Sequence, residues 1–213
     1  MTSPARSSRG GTTGTTLRRA EWPKDIETAR RLFRDYRQWL ADHRDATASA
    51  DPGADIGLMI VDSLIAGLPG AYGPPRGDLI LAFADDEVVA LGALRELDPN
   101  VGEIKRIYVR ADHRGPEFGP RLTQALLDRA AELGYERVRV DTLASMTAAI
   151  QFYQEMGFRP IPPYWPHPAA GALFFECAVK KPGPMPRRGG ESTPRRTGSR
   201  PKSGSQRGRR TVR

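Results

Sequence analysis

VGEIKRIYVRADHRGPEFGPRL, residues 101–122, carries a β-strand into a glycine-containing turn and then into a helix. Residues 102–109 combine Ile104, Ile107 and Val109 with Tyr108, a composition suited to a partly buried pleated surface. The turn ADHRGPEFG follows, and Pro120 suits a first helical position, where a missing N–H costs nothing. Leu122, Leu126, Ala130 and Leu133 then recur at near-helical spacing, with Gly134 as a C-terminal stop. The first turn of a helix exposes backbone N–H groups and a partial positive charge, which together attract phosphate. Taken alone, two glycines before a helix are more often a plain connection.

The neighbouring segments make the pattern specific. Residues 103–122 resemble the central motif of the GNAT superfamily of N-acetyltransferases, with Arg114 and Gly119 at its two ends. DTLASMTAAIQFYQEMGF, residues 141–158, is similar to the family's second signature, a helix carrying a tyrosine before a Gly-Phe turn. Residues 161–179 resemble the closing strands of one GNAT branch, and residues 64–83 extend the likeness upstream, so that it spans roughly residues 18–180. The chain departs from the family's pattern at Pro116 and Glu117. Pro116 and Pro120 have no N–H to donate, and Glu117 brings negative charge toward a pyrophosphate.

Working outward, a first helix is expected from Pro23 to about His43, with Ile26, Arg30, Phe33, Trp39 and Leu40 on one face. A second is expected over residues 56–67, before the LPGAYGPPRG loop. Residues 78–84 and 87–97, separated by Asp85 and Asp86, read as a β-hairpin. Val138, Val140 and Thr142 alternate with charged residues in a further strand, residues 147–156 form a helix, and ALFFECAV closes the sheet. The order predicts an α/β class, a mixed central β-sheet with helices on both faces. The GNAT resemblance implies in addition that strands 102–109 and 137–142 splay apart, leaving a gap for the thioester arm of acetyl-CoA.

Composition divides the 213 residues into a domain, 17–180, and two tails, 1–16 and 181–213, rich in Ser, Thr, Gly, Pro and Arg and expected to be disordered. The net charge of +8 resides in the tails. From Lys181 onward there are 11 Lys or Arg against one acid, and residues 1–19 add four Arg, so residues 20–180 are net acidic. A basic tail of this kind can bind nucleic acid through counterion release, but no aromatic residue interleaves the arginines to stack on bases. Cys177 is the single cysteine, so no intrachain disulfide is expected, and His113 and His167 lack a paired metal-ligand spacing, so no metal is expected. No apolar run of about 18 residues and no signal-peptide core is present, so no membrane partner and a cytoplasmic location are expected.

Acetyl transfer to an amine needs a deprotonated nucleophile, stabilisation of an oxyanion and a proton for the departing thiolate. By resemblance, Tyr153 is the general acid and Glu103 the general base, with Glu96 and Asp141 in reserve. The oxyanion would meet a backbone N–H near Tyr108 or Val109. The cofactor would be held by Ile107, Tyr108, Val109, Arg114, Gly115, Glu117, Phe118 and Gly119. Tyr72, Arg76, Arg106, Tyr164 and Trp165 are candidates for contact with a small amine or amino-acid-like acceptor, the arginines suiting a carboxylate on it. No motif for a covalent acyl-enzyme is seen, so direct attack in a ternary complex is expected. A protein of this fold that binds an acyl-CoA or a partner without catalysis is the alternative, and a homodimer is compatible with the sequence.

Overall fold

In the computed structural model, residues 14–42, 52–165 and 171–180 are described, with side chains in the second helix described from Gly57 onward. The elements are β1 (Thr15–Arg19), α1 (Ile26–Asp42), α2 (Pro52–Ala66), a 3₁₀ turn (Gly70–Tyr72), β2 (Asp78–Ala84), β3 (Glu87–Asp98), β4 (Val101–Val109), a second 3₁₀ turn (Ala111–His113), α3 (Phe118–Glu132), β5 (Arg137–Leu143), α4 (Thr147–Glu155), β6 (Arg159–Ile161) and β7 (Ala172–Ala178). One seven-stranded sheet runs in the order β1-β2-β3-β4-β5-β7-β6. The pairing of β4 with β5 is parallel and the others are antiparallel.

Both sheet faces are covered, as the sequence predicts. On one face α3 and α4 pack over Ile104, Val138, Val140 and Phe175, with Leu122, Leu126 and Phe158 among the buried side chains. On the other, Ala29, Leu32 and Phe33 of α1 lie at i, i+3 and i+4 and meet Leu79, Leu81, Leu91, Tyr72 and Tyr108. Each fully buried side chain of this size contributes about 1.5–3 kcal/mol on leaving water.

Several boundaries differ from expectation for local reasons. Thr15 and Thr16, assigned to a tail by composition, belong to β1, which pairs with β2 from Thr15↔Ala84 to Arg19↔Ile80. The rest of the expected tails, residues 1–13 and 181–213, lies outside the described residues. Helix α3 begins at Phe118 with Glu117 as its N-cap, so Pro120 is a third rather than a first helical residue. Its missing N–H still falls among the first four, which have no intrahelical acceptor. Gly134 stops the helix at φ +82, and Tyr135 N–H returns to the Ala130 carbonyl at 3.0 Å. The hairpin between β2 and β3 turns through Asp85 at φ 54, a left-handed conformation that Asp tolerates. Among the described residues no helix is long and apolar enough to cross a membrane.

Candidate active site

Strands β4 and β5 are joined only at Val101↔Arg137, Gly102↔Val138 and Glu103↔Arg139. Beyond Glu103 the two part, although β4 continues to Val109 and β5 to Leu143. A bulge deepens the separation. Tyr108 faces Leu91 and Lys105 faces Ala93, so β4 holds one residue more than β3 across this stretch. Arg106, inside the bulge, has φ 60, a left-handed conformation that costs any residue with a Cβ.

At the far end of the gap the Arg110 N–H donates to the Val89 carbonyl at 2.9 Å, directing residue 110 toward β3. Strand alternation then turns Val109 toward the gap. The Arg114 Nε donates to the Val109 carbonyl at 3.3 Å from that side, while its guanidinium lies over the Trp39 ring at 5.2 Å. Gly115 and Glu117 are exposed beside the start of α3, whereas Phe118 is buried in the core. At Gly115 and at Gly119 an added Cβ would meet no atom within 4 Å. The Glu117 carboxylate bonds Arg121 at 2.7 Å, so its negative charge has a partner.

Tyr153 on α4 packs against Phe152, Phe158 and Phe175, with ring centroids at 5.2, 5.4 and 6.5 Å. No hydrogen bond to its hydroxyl is found among the described residues. Burial raises the phenol's pKa well above its ordinary value, and the nearby Asp141 carboxylate and Tyr36 add to the shift. Tyr153 shares the core cluster of this face with Ile104 of β4 and Val140 of β5, the two strands that part.

Glu103 occupies a different environment from the accessible base the sequence suggests. It is fully buried and accepts from Arg95 Nε at 2.6 Å and from the Tyr164 hydroxyl at 2.9 Å, with Lys105 Nζ at 3.3 Å. Its oxygens are occupied at the point where β4 and β5 separate. Burial and the Glu103 carboxylate raise the Tyr164 pKa, so this phenol stays protonated as a donor. Asp141, bonded to Lys105 Nζ at 2.6 Å, keeps 31% of its side chain exposed and is the more accessible carboxylate at the gap. The other reserve, Glu96, pairs with Arg76.

Arg76 also leaves the expected acceptor group. It donates to the Leu133 and Pro99 carbonyls at 2.6 Å each and lies over the Tyr135 ring at 4.2 Å, tying the end of α3 to the start of β4. Tyr72 and Arg106 do come together, with burial raising the Tyr72 pKa and the guanidinium opposing it. Trp165 stacks over Arg95 at 5.0 Å and beside Tyr164 at 5.8 Å. Sequence reasoning missed Tyr36, Arg95, Lys105 and Arg139 as neighbours of the gap. In the sequence the last three are charged residues on three separate strands, with no local signal that brings them together. Among the described residues no group of three His, Cys, Asp or Glu could hold a metal, and His167 lies outside them.

A mixed sheet that parts between its parallel strands, with a helix starting at the mouth of the gap, is open to an elongated ligand entering between the strands. The sequence pattern of the acetyltransferase (GNAT) family matches residues 20–158, and the chain belongs to that family. An uncharacterised N-acetyltransferase of Schizosaccharomyces pombe is 28% identical over 162 residues, covering 75% of this chain and 91% of the relative. The PaiA N-acetyltransferase of Thermoplasma acidophilum, solved with coenzyme A, superposes with a TM-score of 0.59 at 15% identity, over 78% of this chain and 99% of its own. YncA of Salmonella typhimurium, solved with acetyl-CoA, gives 0.54 at 14% identity, over 82% and 99%. At these identities the two structures establish the fold.

Proposed function

We propose that the protein is an acetyl-CoA-dependent N-acetyltransferase that acetylates a small amine by direct attack in a ternary complex. The parting of β4 from β5 beyond Glu103, with Tyr153 packed in the core cluster that both strands share, carries this reading. The cofactor fits the residues present. The space beside Gly115 and Gly119 lies open at a helix start, and Arg114 stands at the mouth. Pro116 and Pro120 reduce the donors there to the N–H groups of Gly115, Glu117, Phe118 and Gly119. Ile107, Tyr108 and Val109 line the gap from β4. The bound cofactor supplies an acetyl group activated as a thioester.

The chain's own groups then divide the remaining work. Asp141 attracts the acceptor's ammonium and takes its proton, freeing the lone pair. The Val109 N–H, turned to the gap, stabilises the developing oxyanion. Tyr153, kept neutral by its apolar surroundings, holds the proton that the leaving thiolate needs. Glu103 positions Arg95 and Tyr164 below the cleft.

The experiment is Tyr153→Phe, followed by calorimetry with acetyl-CoA and by thiol release with a panel of amines. The expected result is unchanged cofactor affinity and thermal stability with a 10²–10⁴-fold loss of rate, roughly the range for a general acid. Cofactor binding by the native chain with no turnover of any amine would favour a binding protein, the reading to which Pro116 and Glu117 lend support.

A further inference from the structure

We infer that Arg106 is the specificity-determining group for a carboxylate on the acceptor, so that the substrate is an amino acid and not a simple amine. The inference rests on the transferase reading above and adds the acceptor's chemical class. Among the described residues, Arg106 is the one cation that is not exposed and yet has no carboxylate within ion-pair distance. Its partners are the neutral hydroxyls of Tyr36, at 3.3 Å from NH1, and of Tyr72, and its Nε is buried with no acceptor. A guanidinium removed from water is costly unless an anion answers it. The chain nevertheless holds this residue at φ 60, in the bulge that opens the gap. Strain concentrated on a cation that neutral hydroxyls hold and no carboxylate answers is expected where a ligand supplies the counter-charge.

The surroundings select a single negative charge. Arg95, Lys105 and Arg139 near the parting point are all answered by Glu103, Asp141 and Glu176. Arg106 is the surplus of one positive charge, matching a monoanion and leaving the second charge of a dianion such as a phosphate monoester unanswered. The Tyr36 hydroxyl accepts from Arg106 and keeps its own proton to donate to the same ligand. The Trp165 indole N–H, also buried without a partner, is a further donor in the cluster, its ring lying over Arg95. On the facing strand β5, Asp141 gives one oxygen to Lys105 and keeps 31% of its side chain exposed, which leaves its other oxygen for an ammonium. A carboxylate at Arg106 and an ammonium at Asp141 match the two ends of an amino acid.

The test compares matched ligands that differ only in the anion: glycine, L-alanine and L-phenylalanine against glycinamide, L-alaninamide and L-phenylalaninamide, with phosphoethanolamine as the dianion. Thermal shift and calorimetry are read with and without desulfo-CoA, and acetylation rates are measured in parallel. The expected result is that at least one amino acid binds and is acetylated roughly 30-fold or more better than its amide, and that Arg106→Gln abolishes the preference. Arg106→Gly, which relieves the left-handed backbone, should fold at least as well and lose the same preference. Equal response to acids and amides, a preference for phosphoethanolamine, response to no amino acid, or a preference that survives both variants would overturn the inference. Failure of acetyl-CoA to bind at all would instead overturn the transferase reading, and the binding comparison without cofactor would still decide the role of Arg106.

Discussion

Replacing Glu103 by Gln separates a structural carboxylate from a catalytic one. Glu103 is fully buried, and among the described residues Arg95 has no other acidic partner. A glutamine keeps one oxygen, which can accept from Arg95 or from Tyr164, but its amide nitrogen must then face the remaining donor. Tyr164 can rotate its hydroxyl to accept, whereas a guanidinium or an ammonium cannot. The best arrangement retains the Arg95 contact without its charge and sets the amide beside Lys105, which still has Asp141 at 2.6 Å. Breaking a buried ion pair costs about 3–5 kcal/mol, and the retained oxygen lowers this to about 2–4 kcal/mol. For a domain of this size each kcal/mol moves Tm by roughly 2–4 °C, so the variant should melt about 5–15 °C below the parent. Thermal unfolding followed by circular dichroism reads this directly, with acetylation rates measured well below the new midpoint. A Tm within about 1 °C of the parent, together with a rate loss of 100-fold or more, would refute the reasoning and restore Glu103 as an accessible base.

Two further outcomes follow from local geometry. Gly77→Ala would place a Cβ 2.0 Å from the Ala71 carbonyl oxygen and 2.9 Å from that of Gly73, so the loop carrying Tyr72 must shift; chemical denaturation should show a loss of about 2 kcal/mol or more. Asp25 accepts two bonds from Arg18, at 2.6 and 2.9 Å, and the Glu21 N–H at 2.7 Å, and the guanidinium foremost holds its carboxyl below the usual range. A depressed folded pKa gives stability that is fully present above the unfolded value, near pH 4, and lost as pH falls through the folded one. Asp25→Asn should therefore be less stable than the parent at pH 7 and should show a shallower decline below pH 4 in urea titrations.

The sheet and its helices were legible wherever local pattern and tertiary demand coincide. Residues 78–84 are an apolar run after Asp78 that ends at an Asp-Asp turn, and β2 and β3 lie where that pattern puts them. Strand β1 was not legible because TTLRR continues the composition of the preceding residues, and its pairing with β2 is a long-range matter. The phosphate turn and the phenol of Tyr153 were read from short segments. The charged floor of the cleft was not, since Arg95, Lys105 and Arg139 look like solvated strand residues until β4 and β5 bring them to Glu103 and Asp141. Arg106 carries no local sign of its conformation, because a position at φ 60 ordinarily calls for Gly or Asn. Arg76 illustrates the converse: an arginine in a Gly-Pro loop suggests a ligand contact, but the carbonyls of Leu133 and Pro99 claim it.

The central claim is that the gap between β4 and β5 receives an acyl-CoA whose pyrophosphate lies at the start of α3. Calorimetric titration with acetyl-CoA of the native chain and of Gly119→Ala tests it most directly, since a methyl there meets no protein atom within 4 Å and should leave the fold undisturbed. The account predicts one site per chain with micromolar affinity, weakened at least roughly tenfold in the variant at unchanged Tm. No binding by the native chain, or equal binding by both, would contradict it.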